Sequence, residues 1–162
     1  MEQRGLLTRG QCLSAGMTGR AIRWRLHRRR WMTVHHGIYL TVPGRDDWHT
    51  SALAAQLAVR DSAWSSGTAA YVQGLLRHPP PQIQLVVAAD RRVTCPPGVE
   101  VKRRLDVDRA VDQLHWPGRT VVAETILDVG STASVDALLG ILGRAFQRAM
   151  VGLSPGLSPP WG

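Results

Sequence analysis

Cysteine, lysine and aromatic side chains are all scarce in these 162 residues. The two cysteines, Cys12 and Cys95, stand far apart and outside any CxxC. A disulfide framework and a thiolate metal site are therefore not expected, and Cys12 sits where a helix would bury a small apolar group. The six histidines form no HExxH, and two of them, His35 and His36, are neighbours. No GK[ST] phosphate loop, no GxGxxG after a strand and no GxSxG elbow occurs, which sets aside the nucleotide-binding and hydrolase classes those motifs define. No apolar run approaches the length of a membrane span, and no charged-then-apolar leader follows Met1. The expectation is a cytoplasmic chain without metal, cofactor, membrane partner or catalytic residues. With only two tyrosines and one phenylalanine beside six tryptophans, leucine, valine, isoleucine and alanine must fill the core.

Basic charge is abundant, and it is localised. Lys102 is the only lysine, and the remaining basic residues are arginine. Residues 1–45 hold nine arginines against one acid, Glu2, so the whole net charge of +8 resides there; residues 46–162 are balanced. Drift in base composition would colour both parts equally, whereas a surface facing phosphate is local. The competing reading is an arginine-coated helical hairpin facing water.

Local signals in the same stretch give that charge a shape. Thr8 suits an N-cap for a helix through Ser14, Ala15-Gly16 ends it, and Thr18 caps a second helix to about Arg28. Met17, Ile22 and Leu26 make one apolar stripe able to pack on Leu7 and Leu13. The other side presents Arg20, Arg23, Trp24 and His27 from the helix N-terminus onward, where with Thr18 they would read base edges. Arg28, Arg29 and Arg30 lead into two short β-type runs hinged at His35-His36-Gly37, and these arginines and histidines would lie along the DNA backbone. The expected unit is a winged helix-turn-helix over residues 1–45. Its usual leading helix is missing, unless the alanine- and leucine-rich segments further along supply the cover.

Thr41 to Asp47 has the composition of a linker, so the boundary is placed at 45/46. Beyond it, over 46–151, the sequence predicts a small α/β domain with a short antiparallel sheet, the whole chain being α+β. Its expected parts are a helix from Asp46 that ends by Asp61 and a second one capped by Ser66 or Thr68. A proline break at Arg77–Pro81 then precedes two strands, Gln82–Ala89 and Gly98–Leu105, taken as an antiparallel pair. Asp106 to His115 is ambiguous. Two helices follow, TVVAETILDVG and ASVDALLGILGRAFQRAM. The last carries Val135, Leu138, Leu139, Leu142, Phe146 and Met150 on a broad face expected to close the core. The doubled GLSP of residues 152–162 is expected to be a disordered tail, although a proline-rich ligand is an alternative. Asp106, Asp108 and Asp112, with Glu124 and Asp128, raise a metal-dependent nuclease; acids interleaved with Arg103, Arg104 and Arg109 equally describe a solvated face.

The stretch LLTRGQCLSAGMTGRAIRWRLHRRRWMTVHHGIYL resembles the N-terminal domain of AbiEi-family antitoxins of type IV toxin-antitoxin systems, with its recurring pattern vvTraqllaaGls...aIrrrv.sGrw.rvhrGvY. SSGTAAYVQGL is similar to that family's S.rtAA.l.Gl segment, and GRTVVAETILDV to its g.pvTsp.rTllDla segment, with Glu124 in place of the usual arginine. The resemblance implies a DNA-binding antitoxin and transcriptional repressor that binds duplex DNA. Its second domain would neutralise a nucleotidyltransferase-like toxin. It also implies kinship with longer proteins that carry a very-short-patch-repair-like nuclease domain, so a truncated inactive nuclease relative remains an alternative, as does a protein-interaction module. A single short recognition module implies weak dimerisation on DNA.

Overall fold

The computed structural model describes residues 3–42, 44–112 and 114–152. Within them the chain is mixed α+β, with seven helices and sheets of three and five strands. Residues 153–162, most of the expected tail, lie outside the described residues.

The first sheet is built by local signals. Strand β1 (Leu6–Thr8) runs into helix α1 (Arg9–Ser14) through Thr8, whose hydroxyl accepts from Gln11 N while the Gln11 side chain accepts from Thr8 N. This reciprocal capping box satisfies two of the backbone donors that every helix start leaves bare. Helix α2 (Gly19–His27) is capped by Thr18, and strands β2 (Met32–His35) and β3 (Ile38–Leu40) form a hairpin turning at Gly37, where φ is +73°. The strand order is β1-β3-β2, all antiparallel.

Helix α3 (Trp48–Ala58) explains how this sheet is covered. Asp47 caps it, accepting from Thr50 N at 2.8 Å, and Arg4 ties the N-terminal segment to the same carboxylate. The Thr50 bond, with the Arg4 guanidinium adding to it, holds the Asp47 carboxyl below its usual range. Ala52, Leu53, Ala54 and Ala55 are all buried, so the helix has no wet face over this turn. One apolar cluster joins them to Leu6, Ile38 and Leu40 on one side and to Trp64, Ile83, Leu85 and Val87 on the other. The core therefore crosses the 45/46 position, and alanine at three of these four positions lets both sheets approach the helix. Trp64 fixes the stack by donating its indole N–H to the Ala52 carbonyl at 3.0 Å.

The second sheet has the order β6-β5-β4-β8-β7, from β4 (Ala63–Trp64), β5 (Ile83–Ala88), β6 (Val99–Arg104), β7 (Val111–Asp112) and β8 (Arg119–Thr120). Here the sequence expectation is corrected. Strands β5 and β6 pair in parallel, in register from Ile83↔Val99 to Ala88↔Arg104, and the sheet is mixed rather than antiparallel. Residues 89–98 return the chain to the starting edge, and the uninterrupted Leu85-Val86-Val87 run has the two covered faces that parallel pairing requires.

Further expectations change, and one ambiguous stretch is settled. Helix α4 (Ser66–Val72) has Ser65 at its N-cap with no side-chain cap bond; Thr68 instead accepts from Gln84 N. Asp106–His115 resolves into α5 (Val107–Ala110) and β7. TVVAETILDVG is not all helix: Thr120 belongs to β8 and α6 spans Val122–Gly130. In α7 (Val135–Gly152) the packed residues are Ile141 with Leu138 and Ala145, while Val135, Leu139, Leu142 and Phe146 face solvent. Leu13 is likewise 45% exposed, because Cys12 takes the inward position on the six-residue α1.

Candidate nucleic-acid interface

Helix α2 is held by its apolar side. Ile22 is buried with Cys12 and Tyr39, and Leu7, Met17, Leu26 and Trp31 pack around them. Burial pushes the Cys12 thiol up, which keeps it in the unreactive protonated form. Holding Ile22 inward leaves Thr18, Arg20, Arg23, Trp24 and His27 exposed along the other side. The Thr18 hydroxyl accepts from Ala21 N at 3.2 Å, which leaves its hydrogen and a second lone pair for a partner.

The end of α2 aims the arginine triplet. Arg29 adopts φ +53°, Arg30 N donates to Arg25 O and Arg29 N to Leu26 O, the paired bonds of a Schellman stop. A left-handed arginine there costs roughly 1–2 kcal/mol. The turn lays the Arg30 guanidinium 5.1 Å over the exposed Trp24 ring, and Arg25 folds inward, 5.4 Å over Trp31. Arg28, Arg29, Arg30 and His36 are exposed.

Arg9 belongs to the same surface and was not singled out from sequence. A Cβ built at Gly19 would stand 3.6 Å from the Arg9 guanidinium and 4.0 Å from that of Arg23, so two cations flank the first residue of α2. Arg9 N also donates to Gly37 O at 2.7 Å, fixing the hairpin turn beside them. No acid lies in the first turn of α2. Two guanidinium groups at the positive end of a helix dipole repel it and each other, and an incoming anion relieves both.

His35 is not brought to this surface. The register of β2 shifts between Thr33 and His35, and His35 is half-buried at a cleft of about 690 Å3 that Val34, Thr94, Cys95, Pro96 and Pro97 also line. Burial lowers its pKa. The unfolded chain protonates His35 near its ordinary value of about 6.5, whereas the folded protein resists doing so. Stability is therefore lost as pH falls below that value and through the lowered folded one. Thermal melts across this window should show His35→Gln declining less steeply than wild type; parallel curves would mean the imidazole is as accessible folded as unfolded.

Of the acids that raised a nuclease, Asp106, Glu124 and Asp128 are engaged by one cation, Arg104. Arg104 donates to Asp106 at 3.0 and 3.2 Å and to Glu124 at 2.9 Å, and lies 3.8 Å from Asp128. The first of these pairings holds the Asp106 carboxyl below its usual range. Asp112 is held low too, chiefly by Leu114 N and then by His115. Lys102 donates to Ser66 Oγ at 2.9 Å, and that hydroxyl lies 3.3 Å from Asp128. Ser66 occupies a strained φ of +47° but is buried with its hydroxyl engaged on both sides. Among the described residues no group of three or more His, Cys, Asp or Glu is disposed to hold a metal ion.

No protein-family model matches the sequence, and no curated protein matches it either. No helix among the described residues is long and apolar enough to cross a membrane.

Proposed function

We propose that the chain is a DNA-binding transcriptional repressor acting as the antitoxin of a type IV toxin-antitoxin system. In this reading β1, α1, α2, β2 and β3 form a winged helix-turn-helix with α3 in place of the leading helix. The α2 N-terminus enters the major groove, where Thr18, Arg20, Arg23, Trp24 and His27 meet bases. Arg28, Arg29, Arg30 and His36 meet phosphates, joined by Arg9.

The observation that carries the reading is the crowding of Arg9 and Arg23 around Gly19 at the start of α2, with no acid in the first turn. A merely solvated basic face has no reason to concentrate cations where the helix dipole opposes them. The antitoxin role rests on the sequence resemblance, which also supplies the partner: a nucleotidyltransferase-like toxin bound through residues 46–151.

A mobility-shift titration of the protein on the DNA upstream of its own gene tests this, with a shuffled sequence as control. Specific sites bind about 10³-fold or more tighter than bulk DNA. Equal weak affinity for both fragments would remove the repressor. The antitoxin would fall separately, if a nucleotidyltransferase encoded beside it were neither present nor neutralised.

A further inference from the structure

We propose that α7 pairs with α7 of a second copy of this chain. Val135, Leu139, Leu142 and Phe146 follow one another at intervals of four, three and four residues, and they are 74, 62, 44 and 68% exposed. Ala149, three residues on, is exposed too. An apolar repeat averaging 3.5 residues is the seam of a coiled coil, narrower than the face by which a helix packs on its own domain.

The helix cannot turn to bury that seam. Ile141 is 2% exposed against Ala70 and Leu75, and Arg144 Nε donates to the Leu75 carbonyl at 2.6 Å. Leu138 packs on Gly130, where an added Cβ would meet it at 3.1 Å. One face of α7 is thus committed inward, while the seam points away.

Its surroundings specify the occupant. The positions flanking the seam are Asp136, Leu138, Gly143 and Ala145, with a single charge among them. A Cβ built at Gly143 meets nothing within 4 Å, so another backbone has room to approach. Such flanks select no partner by charge, and what fits a four-three-four seam is a helix bearing the same seam. Among the described residues α7 itself is that helix: the other large apolar residues exposed on helices, Leu13 on α1, Trp24 on α2 and Val122 and Leu127 on α6, form no four-three-four run. Four large side chains from each of two copies give an interface of roughly 1,000 Å2, the lower bound for specific association, so the dimer should be weak, with a Kd in the micromolar rather than the nanomolar range.

The pairing does not depend on DNA and is measured without it. Sedimentation velocity of the whole chain from about 1 to about 300 µM brackets that Kd and should show a monomer passing to a dimer. Leu139→Glu and Phe146→Glu, both on exposed positions, should melt like wild type yet sediment as monomers throughout. If a glutamate variant melts early, Leu139→Gln, which adds no charge, repeats the measurement and should still weaken the dimer at least tenfold. A wild type that stays monomeric means the seam serves another occupant and overturns the proposal, as would variants that dimerise like wild type. A dimer that binds no specific DNA would strike the repressor alone.

Discussion

Replacing Arg28, Arg29 and Arg30 together by alanine should lower the affinity for duplex DNA by roughly 10²–10³-fold at moderate salt, about 1 kcal/mol for each arginine, since salt screens exposed contacts to less than the ~1.5–3 kcal/mol of a fully formed charged hydrogen bond. The loss should be nearly the same on the operator and on unrelated DNA, because phosphates carry no sequence. Three fewer phosphate contacts should also flatten the slope of log K against log salt by about 3. Arg23→Ala should behave differently, weakening the operator by about 1–3 kcal/mol and relaxing the preference at one base position. The measurement is fluorescence anisotropy over a salt series. A triple variant that loses affinity for the operator alone would move the arginines from backbone to bases, and one with unchanged slope would remove them from the interface. Arg30 also covers Trp24, so the triple variant bares that ring further.

Leu53→Ala should destabilise the protein by about 2–5 kcal/mol, the range for a buried leucine whose site cannot collapse. Leu53 is 2% exposed, on a helix with a sheet on either side. Against a typical total of about 5–15 kcal/mol, a loss in the middle of that range is about a third of the stability. Urea titration should show a lower midpoint with an unchanged slope. Because the cluster is continuous from Leu6 to Val87, Trp31 beside the hairpin and Trp64 beyond α3 should report one transition. Two separated transitions would instead mean that the three-stranded sheet holds without its cover. Leu105→Ala, at a position 96% exposed, serves as the control and should stay within about 0.5 kcal/mol.

The comparison of sequence with structure divides by distance along the chain. Thr8, Thr18, the Ala15-Gly16 stop and the Gly37 turn were legible because caps and turns are decided by residues within three or four positions. The parallel pairing of β5 with β6 was not, since apolar alternation fixes which face is buried but not which way a neighbour runs. Strands β4, β7 and β8 have two residues each, too few for any period. Helix α7 carries two apolar stripes, and periodicity cannot tell the covered one from the bare one. At the candidate interface, the exposed side of α2 followed from inverting the stripe of Ile22 and Leu26. Arg9 escaped because its place beside Arg23 exists only once α1 and α2 are folded together. His35 was expected in the hinge of the hairpin; it belongs instead to β2, beyond a shift in register, and lies half-buried.

The placement of α3 bears on how the protein is made. Residues 3–40, with α1, α2 and the hairpin, leave the ribosome before α3 does, and the back of their sheet, Leu6, Ile38 and Leu40, has no cover until Trp48–Ala58 has followed. A nascent chain stopped near residue 45 would expose that apolar surface and hold its arginines on an unfinished frame. Synthesis must therefore run through α3 before the basic surface of α2 has a rigid frame, so a prematurely terminated fragment should be recognised as misfolded.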